Sequence, residues 1–146
     1  MRTAVFPGSF NPFTKGHKSI VDRALRMFDH IIIAIGQNID KPDDVEKARL
    51  RKKGIASLFK DCGNVSVETY DGLTVDFCKK SGATAILRGI RNSIDFEYEK
   101  NIADVNMHIA GIDTVFLVTE PQYGCISSTI VRDLSRHGYD VSEFLP

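Results

Sequence analysis

Residues Ile31-Ile32-Ile33-Ala34-Ile35 form an unbroken apolar run, rich in β-branched side chains and closed by Gly36. The run is far too short to span a bilayer and reads as a strand. A strand apolar on both faces has to be covered on both, which places it inside a parallel sheet sandwiched by helices. Similar runs recur at Ala4 to Phe6, Thr84 to Leu87 and Asp113 to Val118, while Asn64 to Tyr70 alternates Val65, Val67 and Thr69 with polar residues. Segments of helical period separate them. Ile20, Val21, Ala24, Leu25 and Phe28 predict a helix ending near Asp29, and Val45 to Lys60 a basic helix interrupted by Gly54, with Ile55, Leu58 and Phe59 inward. Leu73 to Lys80 is a short helix closed by Gly82. A longer one runs from about Ser93 to Ala110 with Phe96, Ile102, Ala103, Val105 and Ile109 available for burial, and Thr129 to Arg136 is the last. Strands alternating with helices predict a single α/β domain over residues 1–146, built on a doubly wound parallel five-stranded sheet.

In such a sheet every strand's carboxyl end lies on one rim, and ligands bind there. That rule gathers Ser9, the polar loop Gln37 to Asp44 with Lys41, the turn at Leu73-Thr74, Arg88 to Arg91 and Tyr123 to Thr129 into one neighbourhood. Basic and acidic residues balance at 19 each, which gives no excess positive charge for a nucleic-acid backbone or an anionic membrane. The partners expected at the rim are small anions. The N-terminus lacks the charged-then-apolar layout of a secretory signal, so a cytoplasmic protein is expected. The three cysteines, Cys62, Cys78 and Cys125, are widely spaced and suit neither a disulfide framework nor a zinc site.

Three stretches carry the chemistry. In Phe6-Pro7-Gly8-Ser9-Phe10-Asn11-Pro12-Phe13-Thr14-Lys15-Gly16-His17, a strand breaks sharply into a polar loop and then a helix. Thr14 can cap that helix and leave Gly16 and His17 in its first turn, where free N–H groups and the dipole attract phosphate. The plainer reading is turn punctuation with a solvated His17. Arg88 and Arg91 follow a buried strand and can converge on a polyphosphate, with Gly89 allowing close backbone approach; they can equally pair with Asp95 or Glu99. Ile126-Ser127-Ser128-Thr129 offers three hydroxyls at a second helix N-terminus, where an ordinary cap needs one. No Gly-x-Ser-x-Gly elbow, Walker phosphate loop or dinucleotide fingerprint is present, and neither Ser9 nor His17 has an evident catalytic base. A nucleophile that is already an anion, such as a phosphate attacking a nucleotide α-phosphate, would need only alignment and charge stabilisation.

Gly8 to Pro12, Thr14 to His17, Leu87-Arg88-Gly89-Ile90-Arg91, Asp95-Phe96-Glu97-Tyr98-Glu99 and Ile126 to Thr129 occur in the order and at the spacing of one family. The chain resembles the phosphopantetheine adenylyltransferases of the nucleotidyltransferase superfamily over almost its whole length. The resemblance implies a Rossmann-like fold and transfer of AMP from Mg²⁺-ATP to phosphopantetheine, giving dephospho-coenzyme A and pyrophosphate, with Mg²⁺ held mainly by the phosphates. It implies that His17 steadies the α-phosphate, with Ser9, Lys41 and Arg91 as further catalytic residues. ATP would be held by Ser9, Phe10, His17, Gly89, Ile90, Arg91, Glu99, Tyr123, Gly124, Cys125, Ile126, Ser127, Ser128 and Thr129. Phosphopantetheine would be held by Ser9, Lys41, Leu73, Thr74 and Arg88. It also implies a homohexamer, a dimer of trimers.

The chain departs from the family pattern at Ser9, where Thr is commoner, at Asn11, where Asp is usual, and in the loop of Lys41, where Asp43 to Arg49 replaces the usual Phe-Thr and Glu-Glu-Arg pattern. A related nucleotidyltransferase using CTP or another acceptor, or a nucleotide-binding module without catalysis, are the alternatives.

Overall fold

A computed structural model describes all 146 residues. Five strands, β1 (Thr3–Gly8), β2 (His30–Gly36), β3 (Val65–Tyr70), β4 (Ala85–Ile90) and β5 (Asp113–Val118), form one sheet in the order β3-β2-β1-β4-β5. Every neighbouring pair is parallel. Five helices connect and close it: α1 (Lys15–Ala24), α2 (Pro42–Leu58), α3 (Thr74–Ser81), α4 (Ser93–Ala110) and α5 (Ser128–Arg136). Short 3-10 turns follow at Pro121–Tyr123 and Ser142–Phe144.

Side-chain alternation divides the core into two layers, as a sheet covered on both faces requires. Ala4 and Phe6 of β1, Ile31, Ile33 and Ile35 of β2, and Ala85 and Leu87 of β4 pack against Val21 and Ala24 of α1 and Ala48 and Ile55 of α2. The intervening Val5, Ile32, Ala34 and Ile86 face Val75 and Cys78 of α3. Cys62, Cys78 and Cys125 are free thiols, and burial pushes the Cys78 thiol up to about 11.

Strand order reverses at β1, and the crevice of the fold lies between β1 and β4. Their ladder is short, pairing only Ala4 with Ala85 and Val5 with Ile86, whereas β1 and β2 pair from Thr3–His30 through Gly8–Ile35. The carboxyl halves of β1 and β4 are thus free to part and admit side chains.

Several boundaries differ from the sequence expectation. α1 stops at Ala24, five residues before Asp29, because Met27 and Phe28 both donate to Ala24 O in a tight turn; Leu25 and Phe28 still pack on the core, which prolongs the apolar period past the helix. α2 begins at Pro42, not Val45, since Pro suits the first helical position and Asp43 and Asp44 favour the positive end. It continues through Gly54, and Leu58 is exposed while Phe59 is buried. β4 runs on through Arg88 to Ile90.

The largest correction concerns α4. Phe96, Ile102, Val105 and Ile109 are all exposed, and Glu99 is the one residue of this helix that is buried. The stripe turned inward is Asp95, Glu99, Ala103, Asn106 and Ala110, spaced by three and four. Hydrophobicity selects the wrong face here, because the sheet-facing stripe is polar where it lines the crevice.

Candidate active site

The loop from Gly8 to Thr14 sits on a bed of aromatic rings. Phe10 is buried and meets Phe6 and Phe13 edge-on at centroid distances of 5.1 and 5.4 Å. Its φ of +47° is a left-handed backbone that side chains seldom adopt, and the packed ring holds it there. Gly8 is needed above that ring, since a Cβ would lie 3.0 Å from Phe10 Cζ.

His17 packs edge-on to Phe10 at 5.0 Å. A capping box joins it to Thr14: His17 N–H donates to Thr14 Oγ1 over 3.4 Å, and Thr14 N–H donates to His17 Nδ1 over 3.0 Å. A backbone N–H can only donate, so Nδ1 is the bare nitrogen and Nε2 carries the proton. Burial, then the nearby Arg88 and Arg91 charges, lower the pKa of His17 from 6.5 to about 4. At neutral pH the ring is therefore an uncharged Nε2–H donor with its tautomer fixed by the fold.

Arg88 spans the gap between β4 and β1. Nε and Nη2 donate to Glu99 Oε2 and Oε1 over 2.9 and 2.6 Å, and Nη1 donates to Pro7 O over 2.5 Å. Arg91 forks onto Asp95, with Nε to Oδ2 at 2.9 Å and Nη2 to Oδ1 at 3.2 Å, and Nη1 reaches Ile126 O at 3.4 Å. Burial pushes the Asp95 carboxyl up, but hydrogen bonds from the Arg91 side chain and backbone outweigh it and hold Asp95 below its usual range. Both arginines thus make the carboxylate pairs and still border the crevice, so the pairing leaves room for the ligand reading. Gly89 lies between them with Ile20 against it: a Cβ would come within 3.2 Å of Ile20 Cγ1.

The second helix N-terminus is clamped to the loop. Ser127 Oγ caps α5 by accepting from Ile130 N–H at 3.1 Å, Ser128 Oγ donates to Pro12 O at 2.8 Å, and Arg132 Nη1 donates to Asn11 O at 2.5 Å. A cavity of about 240 Å³ results, lined by Gly8, Ser9, Phe10, Thr14, Gly16, His17, Arg88, Gly89, Arg91, Asp95, Glu99, Thr119, Ile126 and Ser128 among others. The first turns of α1 and α5 both border it, and amide-bearing helix starts with guanidiniums between them suit a polyphosphate. No three His, Cys, Asp or Glu side chains come together as a metal-holding group. No helix is long and apolar enough to cross a membrane.

A second hollow of about 220 Å³ shares Pro7, Gly8, Arg88 and Glu99 with the first and continues past Tyr70, Thr74, Tyr98, Asn106 and Thr114. Thr74 lies here, its hydroxyl 2.9 Å from Tyr70 Oη. Leu73 is the exposed residue before α3 and lines neither hollow. Lys41 precedes α2 in a loop fixed by Asn38 and Asp44, and borders a separate surface hollow with Asp43, Asp44 and Lys47. Ile90 is buried at the end of β4, and Tyr123 stands beside Gly16 and lines an outer hollow with Lys15 and Lys18. Gly124, Cys125, Ser127 and Thr129 line neither of the two central hollows. Sequence reasoning missed Tyr70, Tyr98, Asn106, Thr114, Thr119 and Arg132. A signal existed for Asn106, which follows Glu99 on the inward stripe of α4.

The sequence model of the cytidylyltransferase-like family matches residues 5–134. Phosphopantetheine adenylyltransferase of Bacteroides thetaiotaomicron is 50% identical over 148 aligned positions, covering 100% of this chain and 96% of that one. The enzyme of the same name from Flavobacterium psychrophilum is 51% identical, again over 100% and 96%. Among solved structures, a bifunctional NMN adenylyltransferase/ADP ribose pyrophosphatase from Francisella tularensis, complexed with AMP and a manganese ion, superposes with a TM-score of 0.68. At 21% identity, over 99% of this chain and 44% of that one, it supports the nucleotidyltransferase fold alone. With half of its residues shared along its full length, this chain belongs to the phosphopantetheine adenylyltransferase family, within the cytidylyltransferase-like nucleotidyltransferases.

Proposed function

We propose that residues 1–146 act as one nucleotidyltransferase domain that moves the adenylyl group of ATP onto the phosphate of phosphopantetheine. An oxygen of the acceptor phosphate attacks the α-phosphorus of ATP, the bond from that phosphorus to the β-bridging oxygen breaks, and pyrophosphate leaves. Dephospho-coenzyme A is the other product. The observation that carries this reading is His17, held as a neutral Nε2–H donor in a cavity bordered by Arg88, Arg91 and the start of α5. Such a donor suits the equatorial oxygens of a five-coordinate α-phosphate. The acceptor phosphate is already an anion, so no general base is required. Relatives of the same family name along the whole chain support the choice of acceptor.

Ser9, Phe10, His17, Gly89 to Arg91 and Tyr123 to Thr129 are the proposed ATP contacts. Arg88, Thr74 and Leu73 are proposed for phosphopantetheine, with Lys41 on the same rim at the end of β2 and Ser9 between the substrates. Mg²⁺ arriving on the triphosphate would neutralise its oxygens, which fits a site whose own residues form no metal cage. The exposed apolar face of α4 suits burial between copies in a homohexamer, and water-soluble phosphates as substrates suit a cytoplasmic enzyme. The test is pyrophosphate release by the purified protein with ATP, Mg²⁺ and phosphopantetheine, each omitted in turn. Release that needs all three supports the assignment, and release from CTP in place of ATP, or none with this acceptor, overturns it.

A further inference from the structure

The stretch Glu120 to Cys125 leads from β5 into the proposed nucleotide contacts, and little packing holds it. Pro121, Gln122, Gly124 and Cys125 are exposed, Glu120 and Tyr123 are half-buried, and the first buried residue after β5 is Ile126. Its ends are fixed: Thr119 N–H donates to Ile90 O at 2.8 Å, and Ile126 O accepts from Arg91 Nη1 at 3.4 Å. Between them a single side-chain hydrogen bond joins the stretch to the rest of the fold, from Ser19 Oγ to Glu120 Oε1 at 2.7 Å.

Ser19 lies on a stripe of α1 with Gly16 and Arg23, spaced by three and four residues. Tyr123 packs on Gly16, where a Cβ would meet Tyr123 Cβ at 3.7 Å, and Arg23 Nη1 donates to Val118 O at 2.7 Å. One side of α1 thus carries the chain from Val118 to Tyr123, while Ile20, Val21 and Ala24 face the core and His17 borders the cavity. The second Glu120 oxygen, Oε2, accepts from Gln122 Nε2 at 2.5 Å, which stiffens the 3-10 turn from within. Resting on the nucleotide contacts proposed above, we propose that Ser19 and Glu120 form a latch that holds the nucleotide loop on the helix carrying His17. Both are positioning residues, which set the affinity for ATP without touching it. The Ser19 hydrogen bond holds the Glu120 carboxyl below its usual range, with Gln122 and the charges of Arg23 and Arg26 adding to it, so Glu120 accepts as an anion. A loop released from the latch samples other positions, and apparent affinity falls by the fraction of time it is competent. Once ATP is bound, its own contacts hold the loop, so turnover at saturation is kept.

The experiment is calorimetric titration of Mg²⁺-ATP into wild type, Ser19→Ala, Glu120→Ala and the double variant, with steady-state pyrophosphate release on the same proteins. Each single change should weaken ATP by about threefold to tenfold, with kcat and the KM for phosphopantetheine within about twofold of wild type. The double variant should bind no more weakly than the weaker single, because either change opens the same latch. Ser19→Thr keeps the hydroxyl and should recover most of the affinity. Unchanged ATP affinity in both single variants, losses that multiply in the double variant, or a fall in kcat in place of the loss of affinity overturns the latch and leaves the proposed reaction standing. A wild type that binds ATP but releases no pyrophosphate with phosphopantetheine overturns the reaction, and the latch is then read from the titrations. A wild type that does not bind ATP overturns both.

Discussion

Acid should destabilise this protein through His17 in a window set by its fixed tautomer. The ring titrates at about 4 in the folded chain against 6.5 for the unperturbed group, so between those values the unfolded chain binds a proton that the folded one refuses. Stability therefore rises with pH across this interval: the contribution is complete above 6.5 and is lost as pH falls toward 4. At about 1.4 kcal/mol per pH unit, the depression is worth on the order of 3 kcal/mol. Urea unfolding at steps from pH 7.5 to 4 would measure it, with His17→Gln as the reference, since Gln can still accept from Thr14 N–H but does not titrate. The remaining histidines and the carboxylates are common to both proteins and cancel in the difference. Wild type should lose about 3 kcal/mol more than the variant over the window. Parallel stability profiles, or an NMR titration of the His17 ring with its midpoint near 6.5, would refute the neutral, Nδ1-accepting histidine on which the chemistry rests.

Replacing His17 by Ala should lower kcat by about a hundredfold to a thousandfold with ATP KM changed only a few-fold, as for loss of one transition-state donor; steady-state pyrophosphate release reads both, and an unchanged kcat removes the ring from the reaction. Lys41→Ala should raise the KM for phosphopantetheine by about threefold to tenfold with little effect on kcat, because a flexible exposed cation on the rim contributes to binding more than to the reacting geometry; a fall in kcat of larger size would put it in the chemistry. Val105→Asp on the outer face of α4, where Val105 is 56% exposed, should cost about 0.5 kcal/mol or less in an isolated chain yet shift the sedimentation coefficient toward monomer if this face packs against other copies; an unchanged oligomer places the interface elsewhere.

The sheet was legible because fully apolar strands admit one kind of neighbourhood. Ile31 to Ile35 demands cover on both faces, and the alternation of Ile31, Ile33 and Ile35 with Ile32 and Ala34 between two core layers is that cover. The cap at Thr14 was legible for a local reason, since Ser or Thr three residues before a side chain able to reach back is a property of one helical turn. The tautomer of His17 was not, because it depends on a backbone geometry that the letters do not carry. The inward face of α4 was misread for a deeper reason. Periodicity assumes that a helix turns its apolar side to the sheet, and α4 turns Asp95, Glu99 and Asn106 there because the carboxyl rim of the sheet beside it is a crevice lined by arginines. An apolar stripe left on the outside and a polar stripe within are one observation: the first is open for another surface to pack on, the second lines the crevice.

The charge of the crevice bears on why a neutral histidine belongs in it. Arg88 and Arg91 are matched by Glu99 and Asp95, and His17 is uncharged, so the set is formally neutral before any ligand enters. A cluster of unpaired cations would attract a triphosphate more strongly, but equally in the ground state and the transition state, which lowers KM without raising kcat. Paired arginines give up long-range attraction and gain fixed orientation, so their remaining N–H groups need little reorganisation when charge shifts during phosphoryl transfer. The Nε2–H of His17 extends the same logic. A neutral donor acts at hydrogen-bond range and stabilises an oxygen most when that oxygen gathers charge, as the equatorial oxygens of the α-phosphate do while the acceptor adds. An imidazolium in the same place would add a net positive charge to a crevice that is otherwise balanced, and so would also tighten the ground state. On the proposed reaction, the burial that keeps His17 neutral is part of how this cavity would separate binding from turnover.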